Sequence, residues 1–278
     1  MLEIFQYDFM QRALISGLIV AVMCPMLGMF IVLRKQSLIG DGLGHAAFAG
    51  VTGGYLLGLY PIIGAFVFTI LGAVGIELVR RKNSAYADMG LAIFFYAGMA
   101  LAIIFSSIIR MPSSSLLGFL FGSILTVTYL DILVIAFCAI LTFIFIKKYF
   151  HKLMLILFNE DIAKVAGINT NSLNMALSII TALVVSASML VVGVLLVSAL
   201  MIVPVAAARQ LEVGFKTTLF CSIVIAVISV ISGLTSSFYF DIAPGGCIII
   251  NATFIYILLL ILSNVWKKIK YNFKSITT

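Results

Sequence analysis

The sequence predicts an all-α membrane protein, a polytopic helix bundle of about nine spans. Three observations carry this. Of the 278 residues, 63% are hydrophobic and only 10% are charged, against about 25% charged in an ordinary soluble domain. The apolar residues fall into runs close to the roughly 20 that a bilayer crossing needs. Charges separate those runs: residues 165–208, 217–240 and 242–266 contain none. A soluble fold of this size cannot bury so much apolar surface, which excludes a soluble enzyme, a nucleic-acid binder and a disordered regulator. The net charge of +7 sits at the ends of the runs and is no nucleic-acid signature.

Taken in order, the spans are expected at 13–33, 38–59, 61–79, 89–109, 130–147, 171–189, 191–208, 217–237 and 247–265, within one membrane domain covering 1–278. The count drops to eight if residues 1–33 do not cross or two runs merge. The first run follows Glu3 and Asp8 and is too long for a removable signal, so it is read as a retained span. A shorter run, Leu116–Val127, cannot cross and is expected as a re-entrant or surface helix. A tight turn near Ser186–Gly193 divides the long uncharged stretch. Placing the N-terminus outside puts 15 of 17 basic residues inside, leaving Arg12 and Arg110 outside. The positive-inside rule therefore predicts a cytoplasmic C-terminus. Cys24, Cys138, Cys221 and Cys247 show no CxxC spacing and read as small buried hydrophobes.

The second span carries the chemistry. Asp41 and His45 are four residues apart and share a helix face. An Asp within a span costs roughly 2.5–3.5 kcal/mol on insertion scales, so two polar ligands on one face point to a polar pathway or a metal site. A hydrogen-bonded pair used for packing near the membrane surface is the competing reading. One carboxylate oxygen and one imidazole nitrogen suit zinc, and less ideally manganese. Two ligands do not complete a site. Gly42, Ala46, Gly50, Gly54 and Gly58 recur every four residues and predict close helix packing on an adjacent face.

Between the fifth and sixth spans, Asn159 is a suitable N-cap, Glu160 and Asp161 favour a first helical turn, and Gly167 suits the position just past the end. Ile162, Val165 and Ala166 give a short apolar face. So short a helix needs something to pack on: its own bundle or a cytoplasmic partner. Glu77 is expected to pair with Arg80 or Arg81. Asp241 lies on the outer side, where it could meet the ion or a partner, or simply stabilise the Pro244-Gly245-Gly246 turn.

Three stretches together resemble the permease subunit of the bacterial zinc/manganese ABC importer family. They are Arg34-Lys35-Gln36-Ser37-Leu38-Ile39-Gly40-Asp41-Gly42-Leu43-Gly44-His45, the Glu160–Gly167 loop, and the helix from Val192-Gly193 through Pro204 to Ala208-Arg209. The Asp241-Ile242-Ala243-Pro244-Gly245-Gly246 turn is also similar. The resemblance implies a type II importer fold, a homodimer of permeases, two cytoplasmic ATP-binding subunits, and an extracellular metal-binding lipoprotein or periplasmic binding protein. It implies that Asp41 and His45 coordinate the transported divalent metal, zinc by expectation with manganese or iron as the alternative. It makes Asn159, Glu160, Asp161, Ile162, Ala163, Val165 and Gly167 an ATPase-docking helix in a bacterial plasma-membrane protein. Gly44 and Ala49 depart from the family's Ser and Pro at those places. The dipeptide Gly-Lys never occurs, so no Walker loop exists and ATP hydrolysis is assigned to another chain. No bound cofactor, nucleic acid or catalytic residue is expected. An ATPase-independent secondary transporter or channel is the competing function, and it leaves Glu160–Gly167 without a role.

Overall fold

Apolar runs broken by short polar connections become helices, because only a helix satisfies every backbone group within its own segment in lipid. The computed structural model describes residues 7–82, 87–123 and 126–276. Among them run α1 (Asp8–Leu33), α2 (Ile39–Leu56), α3 (Pro61–Lys82), α4 (Ala87–Ile108), α5 (Ser113–Phe121), α6 (Tyr129–Phe158), α7 (Glu160–Val165), α8 (Thr170–Val192), α9 (Val194–Arg209), α10 (Phe215–Phe240) and α11 (Pro244–Ile276).

Seven of these helices, rather than the expected nine or eight, are long and apolar enough to cross a membrane: α1, α3, α4, α6, α8, α10 and α11. The other two fall short for different reasons. α9 has 16 residues, too few for a full crossing. α2 has 18, but six are glycine and two are Asp41 and His45. Its composition answers to protein neighbours, because 15 of its residues are buried. Burial separates the remaining helices in the same way. The apolar window is 72% buried in α1 and 67% in α8, but 22% in α4 and 17% in α11. The former are central and the latter turn most of their apolar surface outward.

Lipid tails are as apolar as leucine, so helices associate through close packing rather than through a hydrophobic difference. Glycine provides the closeness. Gly50 of α2 and Gly64 of α3 each lie against the other's carbonyl, and a Cβ on either would overlap it. At Gly98 of α4 a Cβ would sit 2.9 Å from the Ala46 amide nitrogen and 3.2 Å from the His45 carbonyl. Gly28 of α1 lies against the Met201 carbonyl of α9. Gly58 does not join the expected stripe. It follows the end of α2 at φ +66°, with nothing within 4 Å of an added Cβ. There it closes a Schellman turn in which Leu59 N–H donates to Gly54 O at 2.9 Å and Gly58 N–H to Tyr55 O at 3.2 Å.

The short piece expected at 116–127 is α5, shifted to Ser113–Phe121 and ended by Gly122 at φ +79°; Ile124 and Leu125 lie outside the described residues. The division between α8 and α9 falls at Gly193, φ +89°. Gly122, Gly193 and Gly245 meet there so closely that a Cβ on Gly245 would lie 2.5 Å from the Val192 carbonyl and 2.7 Å from that of Phe121.

The two ends of the bundle differ. At one end, Leu33, Phe158, Arg209 and Phe215 line a cavity of about 520 Å³, near the charged ends of α1 and α3. At the other end, Tyr7 lies 5.7 Å from Phe238 and Arg12 stacks 5.3 Å over Tyr129.

Candidate metal centre on the second helix

Asp41 lies in the first turn of α2, where the helix dipole favours a carboxylate. Ser198 of α9 donates its hydroxyl hydrogen to Asp41 Oδ1. Glycine makes this approach possible: a Cβ at Gly40 would sit 2.9 Å from Ser198 Cβ, and one at Gly44 would sit 3.2 Å from the Val194 carbonyl. One turn on, His45 is 5% exposed. Its ring meets Phe95 of α4 edge to face, with centroids 4.6 Å apart. Its Nδ1 is buried and has no hydrogen-bond partner among the described residues. Such a nitrogen ordinarily costs about 1–3 kcal/mol, and an unpaired imidazole nitrogen is available to ligate.

The arrangement therefore holds a carboxylate, an imidazole and a hydroxyl where α2, α4 and α9 meet. Ser198 and Phe95 are the members that sequence reasoning passed over. Ser198 is the sole hydroxyl residue of α9, a signal that could have singled it out. Among the described residues, no group of three or more His, Cys, Asp and Glu side chains forms a metal cluster. Gly42, Ala46, Gly50 and Gly54 occupy the neighbouring face, against Leu91, Gly98, Gly64 and Pro61 respectively.

The Asn159 loop folds as expected. The Asn159 side chain accepts from the backbone N–H of Asp161 at 2.9 Å and of Ile162 at 3.1 Å. Gly167, φ +77°, ends the turn, with Ile168 N–H donating to Ala163 O at 3.0 Å. The anchor, however, is Ala163, which is fully buried, while Ile162 and Val165 are 57% and 90% exposed. Most of the predicted apolar face thus points away from the bundle.

Charges tie α7 to α3. Glu77, 2% exposed, takes a bidentate pair from Arg80 at 2.9 and 2.7 Å. Arg81 lies 3.6 Å from the same carboxylate. Arg80 also reaches Glu160 at 3.8 Å, and Lys164 pairs with Glu160 at 3.7 Å and Asp161 at 3.3 Å. Arg34, just past α1, has its pKa pushed down to about 10, chiefly by burial and then by Arg80, against the opposing pull of Glu77 and Glu160.

Asp241 stands apart from all of this. It is exposed and caps α10 in the left-handed region at φ 53°. Ser237 donates to the Ile242 carbonyl beside it at 2.5 Å.

A family model described as "ABC 3 transport family" matches residues 6–263. The chain belongs to the ABC 3 transport family. It is a multi-pass membrane permease related to those of metal importers, as its three motifs lead one to expect. Relatives of this family permease include a "Probable metal transport system membrane protein" of Treponema pallidum, 32% identical over 94% of this chain and 97% of its own length. A "Manganese transport system membrane protein MntC" of Listeria innocua is 32% identical over 91% and 90%. Two Haemophilus influenzae relatives, named for iron transport and for zinc uptake, are 31% and 28% identical, over 95% and 91% of this chain and 97% of their own in each case. The fold matches a chain of "PsaBC from Streptococcus pneumoniae in complex with Fab" with a TM-score of 0.83, 30% identity and 92% coverage of both chains.

Proposed function

We propose that this permease is the membrane subunit of an ABC importer for a divalent transition-metal ion, manganese or iron in preference to zinc. The observation that carries the reading is Asp41 and His45 together at the buried meeting of α2, α4 and α9, with the His45 Nδ1 unpaired. The zinc expectation gives way on the similarity of the named relatives. Relatives named for manganese and iron are 32% and 31% identical, against 28% for the zinc relative. The four cysteines are free, and none joins Asp41 in a cluster among the described residues.

In this reading 1–278 is a single permease domain that works as a homodimer. The basic end faces the cytoplasm, and the C-terminus with it. Two ATP-binding subunits grip α7 from below, and a solute-binding protein delivers the ion from outside. ATP-driven closure moves α7, and the pull reaches α3 through Arg80 and Glu160. α3 is locked to α2 at Gly64 and Gly50, so the pair Asp41 and His45 opens to one side at a time.

The test is ion competition in proteoliposomes holding the permease, the ATP-binding subunits and the binding protein. Manganese or iron(II) should enter with ATP, and zinc should compete weakly. Import of zinc alone would reverse the ion assignment, and import without ATP-binding subunits would refute the ABC mechanism.

A further inference from the structure

α8 is a central helix, with 67% of its apolar window buried. Its first turns nevertheless carry Thr170, Asn174, Ser178 and Thr181, at spacings of four, four and three, on one face. All four are buried, and Asn174 is 0% exposed. A hydroxyl can satisfy itself within its own helix: Thr181 donates to the Leu177 carbonyl at 2.8 Å. The Asn174 amide is not satisfied. Both its Nδ2 and its Oδ1 are buried with no hydrogen-bond partner, and among the described residues the one other side-chain atom in that condition is His45 Nδ1.

A structural role does not account for this amide. Glu77 is filled by Arg80 and Arg81, and Arg81 donates to the carbonyl of Asn171, not to Asn174. A polar side chain kept in a core for packing is hydrogen-bonded. One left unpaired there costs more than an apolar residue of the same shape. Inside a membrane bundle such a group marks a substrate or ion route.

The packing of α3 sets its level. Arg81 reaches Asn171 and Thr69 meets Ser186, so α3 and α8 run antiparallel side by side. α3 also meets α2: a Cβ on Gly72 would lie 3.3 Å from Ala46 Cβ, and one on Gly42 would lie 3.9 Å from Ile76 Cδ1. Asp41 and Asn174 therefore stand within about one helical turn of the same level, with Asn174 nearer the charged end. α2 and α8 also touch directly.

We propose that the Thr170, Asn174 and Ser178 face of α8 lines the inner half of the ion's passage, where the Asn174 amide oxygen meets the hydrated divalent cation after it leaves Asp41 and His45. The passage is shut in this structure, which encloses both Asn174 and His45. A neutral amide oxygen is a hard donor without charge, and a ligand on an exit route must hold the ion weakly enough to let it go. The ion's passage rests on the importer reading above; the opening of this face toward the charged end does not.

The test has two arms. In proteoliposomes holding the complete complex, Asn174→Leu should slow Mn²⁺ uptake at least tenfold. Its melting temperature should be unchanged or higher, and Mn²⁺ affinity of the purified permease, read by electron paramagnetic resonance, should stay within twofold. In inside-out membrane vesicles, Asn174→Cys should react with a membrane-impermeant thiol reagent, above the background of the native cysteines, at least fivefold faster in one nucleotide state than in the other. Unchanged uptake by the Leu variant overturns the proposal. So does a melting temperature that falls together with uptake, which would make the amide structural, or the absence of reaction at Asn174→Cys in every nucleotide state. Wild-type complex that imports no divalent ion, with Asn174→Cys still reacting in one state, would refute the importer reading and support the opening of this face.

Discussion

Ser198 of α9 holds Asp41 of α2 by a hydrogen bond between residues 157 apart in sequence. The bond joins the short helix after the Gly193 break to the helix that carries the polar pair, and it orients one carboxylate oxygen. Bonds to charged groups are worth about 1.5–3 kcal/mol. Ser198→Ala should therefore raise the half-saturating metal concentration for uptake by roughly tenfold, with the protein still folding and inserting. Uptake kinetics in vesicles measure it.

Glu77 is the buried anchor of the charge network, with Arg80 and Arg81 both on its carboxylate. Removing one partner of a buried pair leaves the other uncompensated, at a cost of about 3–5 kcal/mol. Glu77→Ala should lower the yield and thermal stability of the detergent-solubilised protein sharply. Glu160→Gln, on a half-buried carboxylate, should leave stability within about 1 kcal/mol of the original and act on ATPase-coupled uptake instead.

The glycines divide by geometry. Gly50→Val places a branched side chain onto the Gly64 carbonyl and should abolish membrane assembly. Gly58→Ala meets no neighbour and costs only the left-handed backbone preference, about 1–2 kcal/mol. Expression level and melting temperature of the two variants separate packing from turn formation.

Ile162 and Val165 are exposed apolar residues on a six-residue helix held by buried Ala163 and the Arg80–Glu160 pair. Ile162→Ser with Val165→Ser should leave the permease fold unchanged and lose co-purification of the ATP-binding subunits. Pull-down from detergent extracts checks it.

Local chemistry was readable in the chain. Asn159 and Gly167 bound a helix because their side chain and conformational freedom do so anywhere. Gly193 broke a long uncharged run because it sits where the backbone turns at positive φ. Asp41 and His45 fell on one face by spacing alone. Contacts between distant segments were not readable. Nothing local pairs Ser198 with Asp41, or sets Gly64 against Gly50. The nine-span count failed at α2 and α9 because hydropathy scores a helix against lipid, while α2 is enclosed by protein. Gly58 was misplaced because a four-residue spacing continues on paper past the point where the helix ends.

The most direct test is radiolabelled manganese uptake by proteoliposomes containing the complete complex, with Asp41→Ala and His45→Ala measured separately. Both variants should retain their ATP-binding subunits and lose uptake. Uptake at the original rate in both would contradict a metal path through α2.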